Sequence, residues 1–202
     1  MSAGLPPGRQ LESSESRFGN PPRFNPLGYR SNVLNGVMHD LPLILEPATD
    51  GDAAPIERLN ERVFGPGRFA RTAYRIRETT PADPTLSFVA RVGTLLVGAS
   101  AMTPIVIGEV SALLLGPLIV EPVFRSQGIG EALVTSSLEA AKAAGWKLVL
   151  LVGDEAYYAR VGFQRAPKGQ ISLPGPVDPE RLLYFELEPG ALATAKGAAR
   201  GA

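Results

Sequence analysis

Short runs of apolar residues, most of them bounded by glycine or proline, predict β-strands along the middle of the chain. They lie at residues 41–47, 86–108, 111–120, 147–153 and 182–188. The run 86–108 is long enough for two strands, and Gly93 inside it predicts an antiparallel hairpin. The run 111–120 is apolar at nearly every position, which is typical of a fully buried strand.

Helical spacing of apolar residues appears between these strands. The predicted helical segments are 49–65, 67–78, 123–146 and 155–162. Asp52 is the predicted N-cap of the first helix. In the segment 123–146, apolar and small residues fill one half of the helical wheel, and polar and charged residues lie largely on the other. A buried strand, this helix and a second buried strand form a βαβ unit, which predicts two neighbouring parallel strands.

Composition divides the chain into three parts. Residues 1–40 are rich in proline and glycine and predict a flexible leader, residues 41–190 predict one domain, and residues 191–202 predict a low-complexity tail. We find no pattern of a secretion signal, and the longest apolar run is too short to span a bilayer. These features predict a soluble cytoplasmic protein.

Composition also excludes several kinds of chemistry. The chain has no cysteine, which excludes disulfides, thiolate metal sites and cysteine nucleophiles. Its only histidine, His39, lies in the predicted leader, which disfavours a Ser-His-Asp triad or a zinc site with several histidines. The 20 basic and 20 acidic side chains cancel, which argues against nucleic acid or a membrane bound through net charge. We therefore predict no metal, no nucleic-acid partner and no membrane partner.

The segment "FRSQGIG" (124–130) joins a buried strand to the longest helix. The first turn of a helix carries unpaired N–H groups and the positive end of the helix dipole, so this segment predicts an anion site. Gly128 permits a turn, Gly130 leaves the amides unshielded, and Arg125 adds positive charge. The segment matches neither the P-loop nor the dinucleotide-binding fingerprint. A glycine-assisted turn without a ligand is the alternative interpretation.

Two further features lie close to this segment. Gly116-Pro117 interrupts the buried strand, and since proline cannot donate to a sheet, it predicts a β-bulge. Beyond the bulge, the backbone of residues 118–120 would be left to pair with something other than protein. After the next strand, "GDEAYYARVGF" (153–163) predicts a one-turn helix with a tyrosine that faces the end of the parted sheet.

Together, "LGPLIVEPVFRSQGIGEALV" and "LVGDEAYYARVGFQRA" resemble the GNAT superfamily of acyl-CoA-dependent N-acyltransferases, in its compact single-domain bacterial form. The resemblance covers residues 43 to 188. It implies an α/β fold whose mixed, mostly antiparallel sheet contains two splayed parallel strands flanked by helices. It also implies acetyl-CoA as the cofactor and direct attack of an acceptor amine on its thioester.

The resemblance assigns a role to each matching residue. Leu118, Ile119 and Val120 would pair with the pantetheine arm through their backbone, and the amide of Leu118 or Val120 would stabilise the thioester oxyanion. The pyrophosphate would be held by the amides of Arg125, Ser126, Gln127, Gly128, Ile129 and Gly130. Tyr158 would protonate the leaving thiolate, although a tyrosine packed under the sheet is the alternative; Tyr157 is the weaker candidate. Asp154 would contact the cofactor or, as we favour, cap the short helix.

The acceptor side is less well defined by the sequence. No general base is identified, since Glu109 and Glu121 lie only at the ends of the bulged strand. Arg68, Arg71 and Arg75 form a stripe that could bind a carboxylate or phosphate of the acceptor. The alternative is a solvated basic face paired with nearby glutamates.

We therefore predict an N-acetyltransferase that transfers an acetyl group from acetyl-CoA to a primary amine in a ternary complex. The acceptor would be a small-molecule or peptide amine. The alternatives are a catalytically inactive GNAT-fold module that binds acyl-CoA, and a nucleotide-binding α/β protein without acyl chemistry. Edge strands near residue 182 suggest a homodimer.

Overall fold

The described residues, 42–66 and 72–202 of a computed structural model, form nine strands. They are β1 (Leu43–Pro47), β2 (Phe88–Val92), β3 (Leu95–Ile107), β4 (Val110–Val120), β5 (Leu148–Val152), β6 (Gln164–Arg165), β7 (Ile171–Ser172), β8 (Leu182–Glu186) and β9 (Gly197–Gly201). The main order across the sheet is β1-β2-β3-β4-β5-β8-β6, in which only β4 and β5 are parallel neighbours. The predicted α/β fold with a mixed, mostly antiparallel sheet is confirmed.

Helices cover both faces of this sheet. They are α1 (Ala53–Phe64), α2 (Thr72–Arg77), α3 (Ile129–Ala143), α4 (Glu155–Tyr158) and α5 (Ala191–Thr194). On one face, α3 packs its apolar stripe against β2, β3 and β4. On the other face, Leu59 of α1 packs beside Ile119, and Ile76 of α2 packs beside Leu114. Within the described ranges, no helix combines the length and apolar character needed to cross a bilayer.

The predicted bulge interrupts the pairing of β3 with β4. Ser100 lies opposite Leu118 and Met102 lies opposite Leu115, so that Gly116 and Pro117 together face the single residue between them on β3. Two residues against one is the geometry of a β-bulge. The hairpin predicted at Gly93 is also present, since β2 and β3 are antiparallel neighbours on either side of it.

Residues 191–202 are part of the domain, which corrects the prediction of a separate tail after residue 190. Strand β9 pairs with β3 from Ile105 to Ile107 and with the short strand β7. Leu192 and Ala199 are buried in the core cluster on the α2 face. The sequence did not indicate this strand, because glycine and alanine carry little hydrophobic signal and β9 is held mainly by backbone pairing.

Strand β8 lies inside the sheet and not at its edge. It pairs with β5 along its whole length and with Gln164–Arg165 of β6 on the other side. The expectation of an exposed edge near residue 182 is therefore wrong, because β6 covers part of that edge. The homodimer stays a prediction without this support.

Asp52 fastens the start of α1 to the sheet. It occupies the predicted N-cap position, but its side chain makes no cap hydrogen bond to α1. Instead, its carboxylate accepts hydrogen bonds from the N–H and the hydroxyl of Thr49, at 2.9 and 2.8 Å, and pairs with Arg91 of β2. Burial opposes ionisation of Asp52, but the Thr49 and Arg91 contacts outweigh it and hold the pKa of the carboxyl below its usual value.

Replacing Asp52 with Asn is expected to lower the free energy of unfolding at pH 7 by about 1 kcal/mol, because Arg91 loses one of its two carboxylate partners and keeps Glu46 at 2.8 Å. Since the pKa is lowered in the folded state, this stabilisation is present above the ordinary carboxyl pKa of about 4 and is lost as the pH falls through the lower folded value. Urea unfolding of both proteins at pH 7 and at pH 3 measures the effect. If the two proteins differed in unfolding free energy by the same amount at both pH values, the charged form of Asp52 would not be the source of the stabilisation.

Candidate active site

The parallel strands β4 and β5 are paired over only two positions. Leu113–Leu114 lie opposite Val149–Leu150, and no further pairs join these strands within the described residues. Beyond this point β4 continues to Val120, and β5 continues to Val152 with β8 as its partner. The two strands therefore part at the Gly116-Pro117 bulge. We call the space between residues 115–120 of β4 and the end of β5 the cleft.

The edge of β4 presents backbone groups to the cleft. The N–H of Glu121 donates to the carbonyl of Val97 on β3 at 2.8 Å. Because alternate residues of a strand direct their backbone groups to opposite sides, Ile119 also faces β3, whereas Leu118 and Val120 face the cleft. Of the three residues predicted to pair with a cofactor, only Leu118 and Val120 therefore have amides directed toward the cleft.

The loop from β4 to α3 contains two residues in the left-handed region. Gly128, the N-cap of α3, has a φ of 77° and pays no steric cost for it, while Ser126 has a φ of 62°. Arg125 donates from Nε to the carbonyl of Val120 at 3.2 Å, so it ties the loop back to the edge of β4. Gln127 donates in the same way to Val123 at 3.4 Å. The loop is thus held so that α3 begins beside the cleft.

The Tyr157 side chain occupies the space that a side chain at position 130 would fill. A Cβ atom there would overlap the Tyr157 hydroxyl and would lie 3.6 Å from the side chain of Leu118. Strand β4, α3 and α4 therefore meet at this end of the cleft. The Arg160 guanidinium lies 4.8 Å from the centre of the Tyr157 ring and pairs with Glu131 at 3.1 Å. Burial raises the pKa of Tyr157, and the charge of Glu131 adds to the effect while Arg160 opposes it.

Tyr158 lies across the end of β5. Its ring fills the space where Gly153 has no side chain, and it contacts Tyr157 and Phe163 edge-on, with ring centres 4.9 and 5.7 Å apart. Burial raises the pKa of the Tyr158 phenol; the neighbouring Tyr157 adds to the shift and the Arg181 charge opposes it. The phenol therefore stays protonated throughout the neutral range, which suits a proton donor and not a base.

Asp154 is the N-cap of α4. Its carboxylate accepts a hydrogen bond from the N–H of Tyr157 at 2.9 Å, which is the favoured interpretation from the sequence. In the same helix, Glu155 pairs with Arg165 of β6. These contacts hold the one-turn helix that carries both tyrosines. A contact of Asp154 with a cofactor stays a prediction.

The acidic residues considered as bases lie away from the bulge or are paired. Glu109 is exposed and precedes Gly116 by seven residues of extended strand, which is about 23 Å. Glu121 pairs with Arg62 at 2.9 Å. Strand β4 itself carries no acidic residue. In the part of the chain that the structure describes, no three histidine, aspartate or glutamate side chains gather to hold a metal ion.

Of the three arginines in the predicted stripe, Arg75 lies within the described residues, and Arg68 and Arg71 lie outside them. Arg75 is exposed and donates from Nη1 to the carbonyl of Pro174 at 3.0 Å. This contact joins α2 to the segment between β7 and β8. A role of the three arginines in binding the acceptor stays a prediction.

Two residues that the sequence did not single out lie near the bulge on the α2 face of the sheet. They are Arg77, at the end of α2, and Thr103, opposite Leu114 on β3. Arg77 lies on the side of α2 away from Arg75, so the arginine stripe did not include it. The register of β3 against β4 and the position of α2 were needed to place both residues.

A family model and known proteins match this chain. Residues 83–165 match a family model described as an acetyltransferase (GNAT) domain. Over 118 residues, the chain is 32% identical to YhbS of Escherichia coli K12, an uncharacterized N-acetyltransferase, and the match covers 57% of this chain and 70% of YhbS. The chain belongs to the GNAT acetyltransferase family. It is also 32% identical over 117 residues to the uncharacterized N-acetyltransferase YjhQ of the same strain, a match that covers 56% of this chain and 65% of YjhQ.

Solved structures of GNAT proteins share the fold. The structure of E. coli YhbS in complex with CoA superposes with a TM-score of 0.69 and 22% identity, covering 83% of this chain and 94% of that one. A GNAT acetyltransferase from Brucella melitensis in complex with acetyl-CoA gives a TM-score of 0.52 and 26% identity, covering 71% and 96% of the two chains. The GNAT membership predicted from the two sequence segments is confirmed.

Gly130→Ala is expected to destabilise this GNAT domain by about 1–3 kcal/mol, because the added methyl group would overlap the Tyr157 hydroxyl. Tyr157→Phe removes that hydroxyl and leaves the nearest ring carbon 3.5 Å from the methyl position, an ordinary contact. The double variant should therefore recover most of the loss. Urea unfolding of the wild type, both single variants and the double variant measures this coupling. If Gly130→Ala lowered the unfolding free energy equally in the wild type and in Tyr157→Phe, the Tyr157 hydroxyl would not lie against position 130.

Proposed function

We propose that this GNAT protein transfers an acetyl group from acetyl-CoA to a primary amine by direct attack in a ternary complex. The observation that carries the proposal is the cleft between β4 and β5, which ends beside the first turn of α3. The amides of Leu118 and Val120 are suited to an extended ligand that pairs like a strand, and the unpaired N–H groups of a helix start are suited to a phosphate. Family membership supports the same activity.

The chain offers a consistent set of residues for holding acetyl-CoA. We assign the pantetheine arm to the edge of β4 at Leu118 and Val120, with Ile119 between them anchoring that edge to β3. We assign the pyrophosphate to the loop and first turn formed by Arg125, Ser126, Gln127, Gly128, Ile129 and Gly130. Gly128 places no side chain over this turn, and the Tyr157 hydroxyl occupies the side-chain position of Gly130. When bound, acetyl-CoA supplies an activated acyl group, and the chain supplies its position.

In the proposed reaction, the amine nitrogen forms a bond to the thioester carbonyl carbon and the carbon–sulfur bond breaks. The amide of Leu118 or Val120 donates a hydrogen bond to the carbonyl oxygen as negative charge develops on it. Tyr158 gives a proton to the departing thiolate. Burial raises the pKa of this phenol, so Tyr158 keeps its proton until the thiolate forms beside it. The amine loses its proton to water or binds in its neutral form.

A GNAT-fold module that binds acyl-CoA without turnover remains the second candidate. The observation that favours it is the absence of an acidic residue on β4, together with the positions of Glu109 and Glu121 described above. Thiol release from acetyl-CoA across a panel of amines separates the two functions. Tight binding of CoA with no thiol release from any amine would favour the module.

Tyr158→Phe is expected to lower kcat by about 100-fold or more, because the leaving thiolate loses its proton donor. The affinity for acetyl-CoA, measured by calorimetry, should change by only a few-fold. Tyr184→Phe is a matched control, because the Tyr184 hydroxyl bonds to Gln164 on the surface and not to the cleft. Equal kcat values in the wild type and Tyr158→Phe would remove Tyr158 from the mechanism.

The pH dependence of kcat tests the same residue independently. Since burial raises the pKa of Tyr158, its proton-donating form persists past the ordinary tyrosine value of about 10. We therefore expect no decline in kcat caused by Tyr158 between pH 7 and about 9.5. Steady-state rates with a saturating amine measure this profile. A decline centred below pH 9 in the wild type and missing from Tyr158→Phe would contradict the assignment.

A further inference from the structure

The bulge of β4 brings Arg77 close to the proposed reaction centre. The Nη2 atom of Arg77 lies 3.5 Å from the position that a Cβ atom on Gly116 would occupy, and the amide nitrogen of Leu118 lies 4.0 Å from the same position. The guanidinium and one of the two proposed oxyanion donors therefore share the space that Gly116 leaves open. The Arg77 side chain is half-buried. It approaches from the face of the sheet that α2 covers, where its neighbour Ile76 packs into the core.

Thr103 supplies a second polar group on this face. It lies opposite Leu114, next to the start of the bulge, and its side chain therefore points to the same face as that of Leu114 and the α2 core cluster. Thr103 is fully buried, and its hydroxyl has no hydrogen-bond partner among the described residues. A buried hydroxyl without a partner is costly, so such a group in a native protein needs an explanation, and a bound water, ion or ligand is one.

We propose that Arg77 and Thr103 bind an oxyanion carried by the acceptor, so that the acceptor is an α-amino acid or a close analogue. This inference rests on the proposed acetyltransferase function. A guanidinium has five N–H donors in a fork that matches a carboxylate, so a contact with protein leaves donors for a substrate. Thr103 adds a hydroxyl that can donate to the same group.

The distance from the reaction centre decides which oxyanion fits best. Arg77 Nη2 and the Leu118 amide nitrogen lie 3.5 and 4.0 Å from one point. With Leu118 as the oxyanion donor, the charged group of the acceptor therefore lies close to the nitrogen that attacks the thioester. A carboxylate one carbon away from the amine meets this condition. A lysine side chain in a protein does not, and the N-terminal amine of a peptide has a neutral amide at that position. The site therefore favours free amino acids over protein acceptors.

The test measures kcat/KM for thiol release with the full chain and three matched sets of acceptors: the standard L-amino acids, their α-carboxamides and the corresponding 1-aminoalkylphosphonates. The wild type should prefer the best amino acid over its carboxamide by about 30-fold or more. Arg77→Met should reduce this preference to a few-fold while the rates with carboxamides persist, and Arg77→Lys should keep part of it. Arg58→Met, which removes an exposed arginine from α1, is the control and should keep the full preference.

The acceptor sets also identify the oxyanion and separate the two proposals. Faster turnover of the phosphonates than of the amino acids would show that the bound oxyanion is not a carboxylate. An active wild type that does not distinguish amino acids from carboxamides would contradict the proposal as well. If no set is acetylated, the proposed function fails. The proposed anchor, meaning Arg77 and Thr103 as the binding site of the acceptor's oxyanion, is then tested by ligand binding. In that case, pooled amino acids added to the CoA-saturated protein should raise its Tm more than pooled carboxamides do, and Arg77→Met should abolish the difference. The same Tm shift with both pools would overturn the anchor.

Thr103→Val gives a readout that a purely structural role would not produce. Because the hydroxyl has no partner among the described residues, its removal should leave the Tm unchanged or raise it. The KM for the amino acid should nevertheless rise several-fold, while the KM for the carboxamide changes less. A lower Tm with an unchanged KM would remove Thr103 from the proposed anchor.

Discussion

The architecture of the candidate site depends on the early end of pairing between β4 and β5. Parallel strands buried in a sheet normally satisfy one another's backbone groups along their length. Here the shared ladder ends after Leu113–Leu114, and the Gly116-Pro117 bulge marks the place where the strands part. Backbone groups left without a neighbour inside a domain need another partner, and an extended ligand can provide one. The bulge thus leaves an edge of β4 with which the proposed ligand can pair.

The two faces of the sheet have different roles around this edge. Tyr158 belongs to the apolar cluster on the α3 face, whereas Arg77 approaches the bulge from the α2 face. In the proposed mechanism, the acceptor therefore reaches the thioester from one side and the departing thiolate receives its proton on the other. Such a separation keeps the positive guanidinium away from the phenol whose proton is needed.

Two glycines leave space for the tyrosines of α4 to pack against their neighbours. The Tyr157 hydroxyl lies against Gly130 at the start of α3, and the Tyr158 ring lies against Gly153 after β5. Asp154 caps this helix, and Glu155 ties it to β6 through Arg165. The conspicuous spacing of glycines in "RSQGIG" therefore has two physical causes: Gly128 takes a left-handed conformation, and Gly130 yields its space to a side chain from another element.

Local periodicity and the special geometry of glycine and proline were enough to predict β1 to β5 and β8, the long helix α3, the bulge and the short helix that carries the two tyrosines. The two-residue strands β6 and β7 were not predicted, because they are too short to show a hydrophobic pattern. The sequence also indicated the GNAT family, since the segments around residues 116–130 and 153–163 carry their features in a fixed order. Strand β9 could be identified only in the tertiary structure, because a Gly- and Ala-rich strand has no hydrophobic pattern. The inner position of β8 likewise required the tertiary structure, because local spacing does not predict the order of strands in a sheet. The positions of Arg77 and Thr103 likewise depend on how α2 and β3 meet the bulge, and contacts between elements distant in sequence arise only when the sheet is assembled.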